Sequence, residues 1–123
     1  MDKVVHFEIP FDKKERALKF YRETFGWELV DLPEMNYVMA HAAKTDKKNM
    51  VQDKGSINGG LFPREKGAKA SIVVINVDNV DEAIRKVTAA GGRQIMRKQQ
   101  IPNGFYARVT DSEGNIIGLT GKK

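Results

Sequence analysis

The chain has 123 residues, one domain's worth of sequence and long enough to bury a hydrophobic core unaided. Its 21 basic and 16 acidic side chains leave a net charge of +5, and the basic residues come in separate pairs (Lys13-Lys14, Lys47-Lys48, Arg97-Lys98, Lys122-Lys123), which argues against a nucleic-acid footprint. Cysteine is absent, which excludes disulfides, thiolate nucleophiles and zinc-thiolate sites, and no apolar run approaches membrane-spanning length.

The N-terminus enters a strand directly, with no signal-peptide pattern, so the expected location is the cytoplasm and neither a membrane nor a nucleic acid is an expected partner. From Val4 to Pro10 the residues alternate, Val5, Phe7 and Ile9 on one face and His6 and Glu8 on the other, the period of a half-buried strand. Asp12 with Glu15 three residues on predicts an N-cap and capping box. Ala17, Leu18, Tyr21 and Phe25 then recur at helical spacing until Gly26 stops the helix. Three further strands are predicted at Trp27 to Leu32, Tyr37 to Ala42 and Ser56 to Arg64, with a polar loop from Lys44 to Lys54.

After a connector at Pro63 to Lys69 the plan recurs. Ala70 to Val77 reads as a strand, Asp78 as the cap of a helix with Val80, Ala83, Ile84 and Val87 on its apolar stripe, and Gly91-Gly92 as its stop. Strands follow at Gln94 to Gln99, Phe105 to Thr110 and Asn115 to Thr120, separated by the turn sequences Pro102-Asn103-Gly104 and Asp111-Ser112-Glu113-Gly114. The recurrence is visible residue by residue at an offset of 66: Ile9, Asp12, Ala17, Leu18, Gly26 and Leu29 match Ile75, Asp78, Ala83, Ile84, Gly92 and Ile95. A long period occurring only twice indicates a duplicated βαβββ unit within one domain, module one at 1–65 and module two at 69–123. If Val5, Phe7 and Ile9 pack under the first helix, His6 and Glu8 face the other side of the sheet, as do Ile72 and Val74 in the repeat, and such faces are expected to border a shared ligand cleft.

Together these residues resemble the vicinal oxygen chelate superfamily of glyoxalases, extradiol dioxygenases and bleomycin-resistance proteins. The resemblance rests on Val5-His6-Phe7-Glu8-Ile9, Ala17-x-x-Phe20-Tyr21-x-x-x-Phe25-Gly26-Trp27, Gly59-Gly60-Leu61, Val80-Asp81-Glu82-Ala83 with Ala90-Gly91-Gly92, and Asp111-x-x-Gly114-Asn115 with Gly118-Leu119. It implies an α+β fold in which two βαβββ modules form a U-shaped, partly closed eight-stranded mixed sheet with helices on the outer face, usually as a homodimer. In members with metal chemistry, ligands come from the first and last strands of each module. Those positions here are His6, Gly59 or its neighbour Gly60, Ile72 and Gly118, of which only His6 can donate to a metal. The resemblance therefore implies no metal and no cofactor.

Alternation adds Tyr37, Met39 and His41 on the third strand and Tyr106 and Arg108 on the seventh to the expected ligand-binding face, where either Phe105 or Tyr106 could be the inward residue. His6 and Glu8 are candidates for an acid–base pair, although Glu8 could equally pair with a cation such as Arg108. Glycine within strands, at Gly59, Gly60 and Gly118, leaves either room for a ligand or a close approach of modules or subunits. The leading expectation is a metal-independent protein that binds a small apolar or aromatic molecule. A glyoxalase-like lyase or dioxygenase-related enzyme with a divergent site at His6 and Glu8, and a protein-interaction module, are the alternatives.

Overall fold

The computed structural model describes all residues 1–123, and each strand and helix expected from the sequence is present with its ends moved by at most two residues. The elements in chain order are β1 (Lys3–Phe11), α1 (Lys14–Phe25), β2 (Glu28–Leu32), a 3₁₀ turn (Pro33–Met35), β3 (Tyr37–His41), β4 (Asn58–Pro63), β5 (Ile72–Asn76), α2 (Val80–Ala89), β6 (Arg93–Ile101), β7 (Gly104–Thr110) and β8 (Ile116–Gly121). The strands lie in the order β2-β3-β4-β1-β5-β8-β7-β6 in one mixed eight-stranded sheet, an α+β architecture. Two compact units make up the chain, His6–Ser71 and Ile72–Lys123 with Met1–Val5.

In the first unit, α1 lays Ala17, Leu18 and Tyr21 over the strands. Leu18, Val38, Ala40 and Leu61 form its buried core, with Phe7, Ile9, Trp27 and Leu29 packed around them. The predicted cap is displaced: Lys13, not Asp12, precedes the first helical residue, and no side chain caps the helix. The Asp12 carboxylate instead accepts from Arg64 Nε at 2.9 Å, an ion pair that takes it away from the helix end. The other end closes as the sequence suggests. Gly26 adopts φ +71°, its N–H donates to the Arg22 carbonyl and the Trp27 N–H reaches back to Tyr21, as in a Schellman motif.

In the second unit Val80, the first residue of α2, is buried with Val77, Ala107, Val109 and Leu119, and Phe105 packs on the same side. The N-cap of α2 is Asn79 rather than the expected Asp78. The Asn79 Oδ1 accepts from the backbone N–H of Glu82, three residues on, where the position's extended backbone aims the short side chain at an otherwise unpaired donor. The turn after β7 is held by Asp111, whose Oδ1 accepts from the Glu113 and Asn115 N–H groups at 2.8 and 2.9 Å. Hydrogen bonds from the side chain and backbone of Asn115 and the backbone of Glu113 keep this carboxyl below its usual range. No helix is long and apolar enough to cross a membrane.

Candidate functional site

The face of the first unit turned away from α1 is set by strand register. β1 and β4 run parallel with Phe7 opposite Gly59 and Glu8 opposite Gly60, and antiparallel β3 places Met39 opposite Gly60 and Ala40 opposite Gly59. Alternation then divides the two adjacent glycines. Gly59 belongs to the helix-packed side, where a Cβ would overlap the Phe7 ring and the Phe7 carbonyl oxygen. Gly60 belongs to the opposite side with His6, Glu8, Tyr37 and Met39, and a Cβ there would overlap the phenol of Tyr37. The placement of Gly59 beside the candidate ligand-binding residues is thus corrected: of the two, Gly60 shares their face.

Tyr37 is the centre of this face. Its ring lies over Gly60, and its hydroxyl is hydrogen-bonded to His6 Nε2 at 2.9 Å. The glycine is required because the neighbouring strand's tyrosine fills the volume its side chain would need. Burial disfavours the imidazolium and lowers the His6 pKa below its ordinary 6.5, an effect partly opposed by the negative charge of Glu8. Glu8 is itself only 5% exposed, and no buried side-chain nitrogen or oxygen in the protein lacks a hydrogen-bond partner. Met39 borders the same glycine, while His41 lies at the far end of β3 opposite Glu28.

The second unit contains the same arrangement in different residues. Val74 and Arg108 both flank Gly118 in the register of β5, β7 and β8, and a Cβ at Gly118 would come within 2.9 Å of Val74 Cγ2 and 3.0 Å of the Tyr106 hydroxyl. Tyr106 therefore leans over Gly118 as Tyr37 leans over Gly60. Its hydroxyl accepts from Arg108 Nε at 3.0 Å. Phe105 packs on the α2 side, which settles the ambiguity between the two aromatic residues of β7. Ile72 shares the face of Val74, and each is 2% exposed.

The strand register also fixes how the glycines of the two units correspond. Gly118 matches Gly60, not Gly59, because each is the glycine beneath a tyrosine. Sequence reasoning singled out the tyrosines and glycines separately and missed the pairing. It also passed over Asn58, which lies opposite His6 and accepts from the Ala43 N–H, and Phe62, buried two residues beyond Gly60. The spacing Gly60-x-Phe62 within an alternating strand was the available signal for the latter.

The residues at the metal-ligand positions implied by the resemblance do not fit a metal. His6 is bonded to a phenol, the space over Gly60 holds that phenol's ring, and Ile72 and Gly118 offer no donor. Nowhere are three or more histidine, aspartate or glutamate side chains gathered so as to hold a metal ion.

Comparison with known proteins places this geometry in context. Residues 3–41 match the family model of the bleomycin resistance protein-like N-terminal region. A glyoxylase-like domain-containing protein of Didymella fabae is 34% identical over 90 residues, covering 72% of this chain and 67% of the relative. A lactoylglutathione lyase of Haemophilus influenzae is 24% identical over 119 residues, covering 93% and 88%. Among solved structures, a glyoxalase/bleomycin resistance protein/dioxygenase superfamily member from Vibrio splendidus superposes with a TM-score of 0.63 at 12% identity, covering 98% of both chains.

Proposed function

We propose, for a chain that belongs to the glyoxalase/bleomycin resistance/dioxygenase superfamily, that it binds a small apolar or aromatic molecule without the help of a metal. The observation that carries this reading is the Tyr37 ring seated over Gly60 and tied to His6, which puts a phenol where a metal site would need a further donor. In the first unit the ligand contacts are Tyr37, Met39 and Gly60, with His6, Glu8 and His41 as polar partners. In the second they are Ile72, Val74, Tyr106, Arg108 and Gly118. Aromatic and aliphatic walls with a few fixed polar groups are the usual lining of small-molecule sites. The chain acts as one domain, as a homodimer and in the cytoplasm.

The test uses tag-free protein purified without chelator, analysed for bound metal and then titrated with zinc, nickel and manganese in a thermal unfolding assay. The expected result is far less than one metal per chain and no stabilisation. A near-stoichiometric metal lost on His6→Ala would overturn the reading. A calorimetric screen of aromatic compounds on wild type and Tyr37→Ala tests the binding half, with affinity expected to fall in the variant.

One observation favours a second reading. Burial holds His6 in its neutral form beside a phenol and a carboxylate, so it is able to accept a proton at neutral pH. An acid–base enzyme predicts that His6→Gln abolishes turnover of a bound substrate while leaving its affinity intact, whereas a binding protein turns over none of its ligands.

A further inference from the structure

On the opposite side of the first unit, a groove of about 310 Å³ lies between the end of β1, the first turns of α1 and Arg64. It has two kinds of wall. Phe11, Phe20 and Tyr21 supply apolar surface, and Phe20 leaves 53% of its area exposed although it sits in the middle of a helix. Lys13, Arg16 and Arg64 supply positive charge.

The charges are not equivalent. Arg64 is held by the Asp12 carboxylate at 2.9 Å and donates to the Lys69 carbonyl, so it and Asp12 neutralise one another within the wall. Lys13 and Arg16 have neither hydrogen bond nor ion pair to any side chain. The groove therefore presents an exposed aromatic surface flanked by two uncompensated cations. Its chemical complement is a flat apolar body carrying one negative group, and its volume is that of a small ligand site of about 300 Å³ rather than of a macromolecular interface.

We infer that this groove is a second binding site, separate from the Tyr37 face, for a small aromatic carboxylate. The ring lies against Phe20 and Tyr21 and the carboxylate between Lys13 and Arg16. Tyr21 stacks on Trp27, the only tryptophan, with centroids 4.8 Å apart and planes at 11°, so an occupant that shifts Tyr21 changes the environment of Trp27.

The probes are 1-naphthoate and its neutral counterpart 1-naphthalenemethanol, titrated by calorimetry and by amide NMR into wild type, Lys13→Glu/Arg16→Glu, Phe20→Ala and His6→Gln. Naphthoate is expected to bind saturably, to move the amide signals of Arg16, Phe20, Tyr21 and Trp27, and to exceed the alcohol in affinity about tenfold, the combined worth of two exposed charge contacts. The charge-reversed variant should lose that advantage, and Phe20→Ala should weaken both compounds. All the changed groove side chains are on the surface, so the variants are expected to fold. The amide signals of Arg16, Phe20 and Tyr21 should titrate with naphthoate in His6→Gln at the same midpoint as in wild type, whatever happens at the Tyr37 face, which separates this site from the function proposed above. Equal binding of acid and alcohol, signals moving only elsewhere, or no saturable binding would overturn the inference. So would a change of oligomeric state in the charge-reversed variant without any naphthoate effect, which would assign the groove to a second copy of the chain.

Discussion

Substituting Gly60 by alanine tests the arrangement that organises the first unit. The new Cβ would occupy space held by the hydroxyl end of Tyr37, so the ring must swing aside and its bond to His6 must break. Losing that bond costs about 1 kcal/mol and crowding a packed position about 1–3 kcal/mol, so Gly60→Ala is expected to destabilise by about 2–4 kcal/mol. Tyr37→Ala alone leaves a vacancy over Gly60 and is expected to cost about 2–3 kcal/mol. In the double variant the methyl group enters the vacancy, so the two costs should fall short of their sum by about 2 kcal/mol. Urea unfolding of the four proteins measures the cycle. Gly59→Ala is the control: its Cβ meets the Phe7 backbone oxygen, which cannot rotate away, so its larger cost should persist in the Tyr37→Ala background. Additive costs for Gly60 and Tyr37 would refute the account.

Four further outcomes follow from the same geometry. His6 has a depressed pKa in the folded chain, so the unfolded chain binds the extra proton first; wild type should lose stability as pH falls through about 6.5 toward the folded value, with the contribution complete above that range, and His6→Gln should lack this component in urea midpoints measured from pH 5 to 8. Asn79→Ala should cost about 1 kcal/mol through the lost cap, and Asp78→Ala markedly less, by thermal unfolding. Gly118→Ala should cost less than Gly60→Ala, because its Cβ would approach Val74 and Tyr106 only to 2.9 and 3.0 Å and small side-chain shifts relieve that contact. Gly60→Glu alone should gain no zinc affinity by calorimetry, since the phenol of Tyr37 occupies the space the new carboxylate would need.

Much of the fold could be read from alternation and glycine stops because those signals are local. The caps could not: Asn79 fits the cap pattern as well as Asp78 does, and Asp12, a better capping residue than Lys13, is bonded instead to Arg64, 52 positions away. The pairing of each tyrosine with its glycine was hidden for a related reason. The offset between equivalent residues is 66 from β1 to β5, yet Tyr37 and Tyr106 are 69 apart and Gly60 and Gly118 are 58 apart. The loop from Lys44 to Lys54, between β3 and β4, has no counterpart of equal length between β7 and β8. A single period aligns the strand and helix that open each unit and misaligns those that close it. Placing Gly59 on the ligand-binding face beside Gly60 is a one-residue slip, and in a strand one residue exchanges the faces.

Corrected for the slip, the repeat has preserved a tyrosine and a glycine on neighbouring strands in each unit and has changed what holds the tyrosine. Tyr37 shares a hydrogen bond with an imidazole that burial keeps neutral, whereas Tyr106 accepts from a guanidinium that is charged at every pH the protein meets. A phenol oxygen that accepts from a cation is polarised and becomes a stronger donor through its own proton. One that meets a neutral imidazole can give or take the shared proton according to tautomer. The two units thus present phenols in equivalent places with different hydrogen-bonding character. This difference arises from single residues, His6 on β1 and Arg108 on β7, and leaves the packing of each tyrosine against its glycine intact.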